Sequence, residues 1–254
     1  MDEVAPGVFV FTSALYTTTT TVIAGADGGC LVVDPAIRPA DLAAQARWFS
    51  GRGLRPVAGW STHPHWDHVL WSAGLGADVP RYATPAAAAV AAARRDALAA
   101  AAEAEAPGHD QVLCGRLIAW PGEEIPWDGP AARIVAHDAH APGHGALFLP
   151  SAGVLIAGDM CSDIEIPLVD QESGDPFGMY RAGLERLAAL GGVGVVVPGH
   201  GHAGDGTAFR ARIAADFRYL NAVAAGGPVA DPRLDKEWLR QEHARQVGLA
   251  QRSR

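Results

Sequence analysis

The sequence predicts an α+β fold, and three observations lead to that class. The first 35 residues carry short runs rich in β-branched and aromatic residues, separated by Gly and Asp, which is typical of an antiparallel meander. A second group of short apolar runs, broken by Gly, Pro and Asp, lies between residues 116 and 159. Helical patterns lie between these regions and after them, which gives the order strands, helix, strand, long helix, strands, helix, strand, helices.

The N-terminal part begins with three predicted strands, at residues 7–13, 17–25 and 29–35. Apolar residues at helical spacing over residues 39–52 then predict a helix, which the glycines Gly51 and Gly53 end. The next strand, at residues 56–62, stops directly before a cluster of histidines. This meander, helix and strand therefore lead the chain to the first residues with evident chemistry.

The middle of the chain contains an Ala-rich stretch, residues 86–106, that predicts one long helix because Ala has the highest helix propensity. Thr84 and Pro85 suit its N-cap and first turn, and Pro107 ends it. Further strands are predicted at residues 116–120, 132–138, 145–151, 153–159 and 193–198. Further helices are predicted at residues 178–190, 206–226 and 231–250.

Composition and charge limit the function classes. The chain has 254 residues, of which 49% are hydrophobic, and it shows no linker, so we expect one domain over 1–254, with a core at 1–205 and C-terminal helices at 206–250. The net charge of −8 disfavours general binding to nucleic acid. No membrane span or secretory signal is visible, so we expect a cytoplasmic protein without a membrane partner. The sequence carries no signal for the oligomeric state.

Cysteine and lysine usage excludes two kinds of chemistry. Cys30, Cys114 and Cys161 form no C-x-x-C pair, which is typical of reduced thiols in a cytoplasm and excludes a zinc site built from paired thiolates. Lys236 is the sole lysine, so a Schiff-base lysine is an unsuitable basis for catalysis.

The strongest chemical signal is the cluster "HPHWDH", which places His63, His65, Asp67 and His68 directly after a predicted strand. In an extended segment, residues two apart point the same way, so His63 and His65 can reach one ion. Asp67 and His68 follow where the chain turns and can reach a second ion beside it. Imidazole and carboxylate ligands favour Zn, Fe or Mn over Mg or Ca.

Four side chains cannot fill two coordination spheres, so further ligands are expected at other strand ends. "HAPGHG" offers His144 just before a strand, "LIAGDM" offers Asp159 after one, and "VVVPGHG" offers His200 after another. The stretch around His200 also fits G-x-G-x-x-G, but no strand with an acidic residue follows it, which excludes a dinucleotide-binding turn.

These motifs, in this order, resemble those of the metallo-β-lactamase superfamily. The matching segments are His63-x-His65-x-Asp67-His68, Pro142-Gly143-His144, Gly158-Asp159 and Pro198-Gly199-His200, with Asp34 after an early strand as a fifth motif. The resemblance spans residues 1–205. It implies a four-layer αββα sandwich, with two mixed β-sheets packed together, helices outside and a metal site along one edge.

The resemblance also implies a role for each matching residue. His63, His65 and His144 would bind one metal, and Asp67, His68 and His200 would bind a second, with Asp159 bridging. Asp34 would accept a hydrogen bond from a ligand histidine and set its tautomer. The implied cofactors are two Zn²⁺ ions per chain, with Fe or Mn as alternatives. They would hold a bridging hydroxide, which Asp67 would orient and whose proton it would shuttle.

The function expected from this site is a dinuclear metal-dependent hydrolase for a small ester, lactone, thioester, amide or phosphoester. The alternative is a mononuclear-iron dioxygenase that oxidises persulfides, because some members of the superfamily use the same ligand set in that way. A nucleic acid phosphodiesterase is less favoured. Members of the superfamily that cut RNA or DNA carry an added domain or exosite arm, and the acidic balance and the length of this chain leave little room for one. The expected partner is a small-molecule substrate.

Several residues near the motifs have two possible roles. His140, His202 and Asp163 are candidates either for outer contacts of the metal site or for substrate contacts. Asp163 also begins an acidic stretch after Asp159 that is equally compatible with a solvated loop. His109 is expected at the surface.

Overall fold

The computed structural model describes residues 1–252, which form two β-sheets and six α-helices. The first sheet contains β1 (Asp2–Ala5), β2 (Val8–Thr12), β3 (Thr19–Ala24), β4 (Gly29–Val33), β5 (Arg55–Trp60), β6 (Arg81–Ala83) and β7 (Ile118–Ala119). The second contains β8 (Arg133–His137), β9 (His144–Leu149), β10 (Val154–Gly158), β11 (Val195–Pro198) and β12 (Gly204–Asp205). The helices are α1 (Pro39–Arg52), α2 (Pro85–Ala93), α3 (Arg95–Glu105), α4 (Pro176–Ala188), α5 (Gly206–Ala225) and α6 (Glu237–Arg252).

The first sheet combines two kinds of pairing in the order β1-β2-β3-β4-β5-β6-β7. Strands β2 to β4 form the predicted antiparallel meander, and β1 extends it with a strand that was not predicted, whereas β4 to β7 pair in parallel. Parallel neighbours need a crossover, and α1 supplies the one between β4 and β5. The carboxyl ends of β4 and β5 therefore lie at the same edge.

The second sheet is also mixed, with the order β12-β11-β10-β9-β8. Strand β9 runs antiparallel to both β8 and β10, and β10 runs parallel to β11 across the crossover helix α4. Strands β8, β10 and β11 consequently point the same way. Their carboxyl ends share one edge, where the loops that follow them can meet.

The core lies in layers because residues alternate between the two faces of each strand. Leu31 and Val33 of β4 pack between the sheets with residues such as Ile156 of β10. Their neighbours on β4 face outward and pack against α1. On the second sheet, Leu155 and its outward-facing neighbours pack against α4, α5 and α6. The resulting order of helix, sheet, sheet, helix is the predicted αββα sandwich.

Two predicted helices are divided in the structure. The helix predicted over residues 86–106 breaks at Arg94, whose φ of −108° and ψ of 14° leave the helical region. The next residue, Arg95, donates hydrogen bonds to the carbonyls of Val112 and Cys114, which tie the start of α3 to a distant loop. The helix predicted at 231–250 is replaced by a 3₁₀ turn over Pro232–Asp235 followed by α6.

One position differs in burial from its prediction. His109 is 7% exposed rather than at the surface, because the loop after α3 packs near Pro39, at the start of α1. Among residues 1–252, no helix is long and apolar enough to cross a membrane.

Candidate metal centre

The centre lies at the edge where strand ends from both sheets meet. The first sheet contributes the loop after β5, which contains a 3₁₀ turn over Trp66–His68. The second sheet contributes the loops after β8, β10 and β11. These loops bring together two groups of side chains, and within each group the ligand atoms lie no more than 4.8 Å apart. One group is His63, His65, His140 and Asp159, and the other is Asp67, His68 and His200.

The first group has the dimensions of a tetrahedral metal site. The Nε2 atom of His63 and the Nδ1 atom of His65 are 3.1 Å apart, and the Nε2 atom of His140 is also 3.1 Å from Nδ1 of His65. Oδ2 of Asp159 lies 3.5 Å from Nε2 of His63 and 3.3 Å from Nε2 of His140. Tetrahedral Zn²⁺ with Zn–N bonds of about 2.0–2.1 Å separates its ligands by roughly 3.3 Å. The group therefore fits one such ion.

The second group adjoins the first. Oδ2 of Asp67 lies 3.1 Å from Nε2 of His200 and 3.6 Å from Nε2 of His68. The two histidine Nε2 atoms are 3.4 Å apart. Two imidazoles and one carboxylate supply three ligand atoms, a set that transition metals accept.

Asp159 contacts both groups. Its Oδ1 atom lies 3.2 Å from Nε2 of His68. Its Oδ2 atom faces His63 and His140, and it also lies 3.4 Å from Nε2 of His200. Oδ1 is buried and has no hydrogen-bond partner among the described residues. Gly199 allows the Asp159 carboxylate to occupy its place, because a Cβ at residue 199 would collide with Oδ1 of Asp159. The glycine that resembled part of a dinucleotide motif thus leaves room for the carboxylate.

The hydrogen bonds of the Nδ1 atoms show which ring nitrogen of His140 and of His200 faces the centre. Nδ1 of His140 lies 2.7 Å from the carbonyl of Leu168, and Nδ1 of His200 lies 3.0 Å from the carbonyl of Tyr16. A carbonyl accepts hydrogen bonds, so each Nδ1 carries the proton and each Nε2 presents a lone pair to the centre. Lone pairs that face carboxylate oxygens repel them unless a proton or a metal cation lies between, so these residues can hold metal ions.

Asp34 orients two further histidines. Its Oδ2 atom accepts a hydrogen bond from Nδ1 of His68 at 2.9 Å and one from the hydroxyl of Thr62 at 2.6 Å. The Thr62 oxygen in turn lies 3.0 Å from Nδ1 of His63. The carboxylate therefore sets the tautomer of His68 directly and that of His63 through Thr62, which leaves both Nε2 atoms free for metal.

Burial and charge set the protonation of these groups. Burial lowers the pKa of His63 well below its usual value, which keeps its imidazole neutral. Burial opposes ionisation of Asp67, but the charges of His68 and His200 outweigh it and hold the Asp67 pKa at about 2. Burial likewise disfavours the charged form of His68, yet the carboxylates of Asp159 and Asp67 raise its pKa. These carboxylates favour positive charge in the centre.

His144 does not join either group, and the prediction for it has to be revised in favour of His140. His144 is the first residue of β9, and its ring lies 4.5 Å from the His137 ring on the sheet face below α4. Its Nε2 atom contacts the carbonyl of Ala157 at 2.9 Å. His140 instead lies in the loop before β9, and the bond to Leu168 turns its ring inward.

His202 and Asp163 pair with each other outside the two groups. Nδ1 of His202 lies 2.9 Å from Oδ2 of Asp163, and the His202 side chain is 65% exposed. Burial opposes ionisation of Asp163, but hydrogen bonds from His202 lower its pKa. Neither residue lines the cleft that opens beside the first group.

A cleft of about 870 Å³ opens beside the first group and is lined by His65, His140, Asp67 and Asp159. Its apolar wall includes Leu168 from the loop after β10 and Trp238 from α6. The charged residues of the wall, apart from the centre, are Asp138, Asp170, Glu172, Glu242 and one arginine, Arg94. The cleft thus carries a negative balance of charge.

Some supporting contacts were not foreseen from the sequence. The carbonyls of Tyr16 and Leu168 orient ligand histidines, but a backbone carbonyl leaves no signature in a sequence. The hydroxyl of Ser162 donates to the His200 carbonyl at 2.7 Å and thereby joins the loops after β10 and β11. Glu165, which lies in the acidic stretch, is 8% exposed rather than solvated.

The comparisons with known proteins agree with this architecture. The family model described as the metallo-beta-lactamase superfamily matches residues 15–200. A beta-lactamase domain protein from Burkholderia ambifaria has 22% identity and a TM-score of 0.69, over 89% of this chain and 74% of that one. The family protein TTHA1429 from Thermus thermophilus has 21% identity and a TM-score of 0.67, over 98% and 92%. TTHA1623, in a di-iron-bound form, has 26% identity and a TM-score of 0.59, over 78% and 94%. No curated protein matches the chain.

The chain therefore belongs to the metallo-β-lactamase superfamily. It has the metal-dependent hydrolase fold of that superfamily, and its histidines and aspartates form metal-binding groups at the edge of the sandwich.

Proposed function

We propose that the protein is a dinuclear metal-dependent hydrolase of a small ester, lactone, thioester, amide or phosphoester. The position of Asp159 carries this proposal, because its Oδ2 atom lies between the first group and His200 while its Oδ1 atom faces His68 of the second group. Its carboxylate would bridge two ions. The sites so formed would comprise His63, His65 and His140 on one side and Asp67, His68 and His200 on the other.

Zinc suits these sites best, because neutral imidazoles and carboxylates at tetrahedral spacing are typical zinc ligands. Iron is the second candidate metal, supported by the di-iron-bound form of TTHA1623. Bound ions would lower the pKa of a water between them and would polarise the carbonyl or phosphoryl oxygen of the substrate.

The side chains of the centre then have separate tasks. Asp67 accepts a proton from the attacking water and orients it, since its Oδ2 atom faces the centre between His68 and His200. Asp34 and Thr62 hold His68 and His63 in the orientation that the ions require. Leu168 and Trp238 supply apolar surface on the cleft wall against which a substrate would pack.

The charge of the cleft narrows the substrate class. Four carboxylates and one arginine line its wall outside the centre, so an uncharged or cationic substrate is favoured over a polyanion. A volume of about 870 Å³ accommodates a small molecule. We accordingly propose a small-molecule substrate and no nucleic acid partner, which a binding assay with RNA at physiological salt tests.

The decisive experiment is metal analysis combined with a panel of simple esters, lactones, thioesters, amides and phosphodiesters. We expect two ions per chain and metal-dependent turnover of at least one uncharged member of the panel. One iron per chain together with oxygen uptake on a persulfide would replace the hydrolase proposal with the dioxygenase alternative. Preparation in zinc and in iron separately identifies the metal that supports turnover.

A further inference from the structure

The connection between β2 and β3 has an unusual backbone at Tyr16 and Thr17, two residues that form what we call the 16–17 turn. Their φ angles are 57° and 54°, in the left-handed region. Residues other than Gly, Asn and Asp rarely adopt this region, and a β-branched residue such as Thr is especially unsuited to it. Two strained residues in succession persist only where other contacts hold them, and such strain clusters at functional sites.

The carbonyls of the 16–17 turn face the loop after β11, which carries His200. The Tyr16 carbonyl accepts a hydrogen bond from Nδ1 of His200 at 3.0 Å, and the Thr17 carbonyl accepts one from the N–H of Gly201 at 3.0 Å. In an extended strand, successive carbonyls point to opposite sides. The left-handed conformation therefore lets two neighbouring carbonyls reach the same loop.

The side chain of Tyr16 contacts two other parts of the chain. Its hydroxyl donates to Oε2 of Glu105, the last residue of α3, at 2.5 Å. Its ring packs edge-on against Trp66, with the ring centroids 6.4 Å apart. Trp66 begins the 3₁₀ turn that contains Asp67 and His68. Tyr16 therefore contacts the loop that supplies two ligands of the second group, while its carbonyl orients the third.

The charges around the Tyr16 hydroxyl agree with this placement. The hydrogen bond to Glu105 raises the pKa of Tyr16, so the phenol is protonated and can donate at neutral pH. The charges of Asp67 and His200 also act on Tyr16, which reflects its position beside the second group. Because Tyr16 is 46% exposed, its replacement removes little buried surface and should leave the fold intact.

The first group is oriented by other contacts. Nδ1 of His140 bonds to the carbonyl of Leu168, and His63 is oriented through the hydroxyl of Thr62. These contacts come from the loops after β10 and β5. A change at Tyr16 should therefore act on the second metal site more than on the first.

We infer that Tyr16 is a positioning residue of the second metal site, an inference that rests on the dinuclear function proposed above. Its contacts with Glu105 and Trp66 hold the 16–17 turn in the left-handed conformation. That conformation keeps the Tyr16 carbonyl on Nδ1 of His200, so Nε2 of His200 stays directed at Asp67, 3.1 Å away. In this role Tyr16 acts through His200 and needs no contact with the substrate.

Titration with Zn²⁺ against a competing chelator measures the two metal affinities separately. In Tyr16→Ala we expect the second ion to bind roughly 10–100-fold more weakly, because His200 loses its fixed orientation. The affinity for the first ion should stay near that of the wild type. Excess Zn²⁺ should restore kcat, because the occupied site still has all of its ligands.

Two other variants at residue 16 separate the side-chain contacts from the backbone conformation. Tyr16→Phe keeps the ring against Trp66 and loses only the hydroxyl, so we expect a roughly two- to tenfold loss of affinity for the second ion. Tyr16→Asn loses both contacts, but Asn tolerates the left-handed region better than Ala. It should therefore bind the second ion more tightly than Tyr16→Ala. As a matched control, Tyr82→Phe removes a hydroxyl from β6 and should behave as the wild type.

Three results would show that Tyr16 is not a positioning residue of the second site. They are unchanged affinity in Tyr16→Ala, equal weakening of both ions, and lost activity that excess Zn²⁺ does not restore. An Asn variant that binds the second ion no better than the Ala variant would contradict the role of the left-handed turn. If Tyr16→Ala fails to fold, Tyr16→Phe decides by the same criteria.

The hydrolase proposal can fail separately. A wild type that binds two ions but hydrolyses no member of the panel would refute hydrolysis, and the affinities would still decide the role of Tyr16. A wild type that binds a single ion would contradict both proposals.

Discussion

The first sheet supplies four side chains of the centre from one loop of six residues, 63–68, whereas the second supplies three from separate loops. The loop after β5 is a compact motif whose ligands are neighbours in sequence. His140, Asp159 and His200 become neighbours because β8, β10 and β11 point the same way. The first arrangement depends on local spacing and the second on sheet topology, so the two should respond differently to substitution.

Removing Asp159, which contacts both metal-binding groups, should have the largest effect on metal content and activity. Asp159→Ala takes an oxygen ligand from both groups, so we expect occupancy of both ions to fall and kcat/KM to drop by about 10³-fold or more. Asp67→Ala affects the second group alone and should leave close to one ion per chain. Metal analysis after dialysis measures both, and full occupancy in Asp159→Ala would contradict the bridging geometry.

His140 and His144, which flank the turn before β9, should differ in their effect on metal content. His140→Ala should remove the ion of the first group, because it deletes a ring nitrogen that faces His65 and Asp159. His144→Gln should retain both ions, since the Nε2 atom of His144 faces the carbonyl of Ala157. Metal content and activity of the two purified variants check this. Loss of metal in His144→Gln with retention in His140→Ala would restore the original prediction from sequence.

A smaller effect is expected from the residues that orient the histidines. Asp34→Asn removes the acceptor shared by His68 and Thr62, so it should weaken both metal sites by roughly 10–100-fold. Asn tolerates the left-handed backbone of residue 34, whose φ is 47°, so the fold should persist. Thr62→Val should weaken the first site alone. Competition with a chelator measures each affinity, and equal effects of the two substitutions would argue against this division.

The last effect concerns stability rather than metal binding, and it involves His137, a histidine of the second sheet outside the centre. Burial lowers its pKa from 6.5 to about 3. Between these values the unfolded chain binds a proton that the folded chain does not, so stability falls as pH falls. We expect His137 to contribute roughly 1.4 kcal/mol per pH unit in this range. Urea unfolding of the metal-free protein at several pH values should show a shallower dependence for His137→Gln. An identical dependence would show that His137 titrates normally.

Local patterns predicted most of the fold. Helix α1 and the meander of β2 to β4 follow the sequence closely, because helical spacing and β-branched runs act within a few residues. The break at Arg94 was not predictable, since Ala-rich sequence favours an unbroken helix and the competing contacts of Arg95 come from Val112 and Cys114. The burial of Glu165 was equally hidden, because Arg233 fixes that loop from 68 residues away.

The sequence by itself determined the order of strands and helices and the metal-binding loop at 63–68, because periodicity and ligand spacing are local properties. Its motifs also carried the family resemblance, and that resemblance implied the αββα sandwich. The tertiary structure decided which histidine of "HDAHAPGH" faces the centre. His140 and His144 are equivalent in composition, but one lies in a loop at the sheet edge and the other begins a strand below α4. The structure also decided that Asp159 contacts both groups, since that contact requires two sheets to meet at one edge.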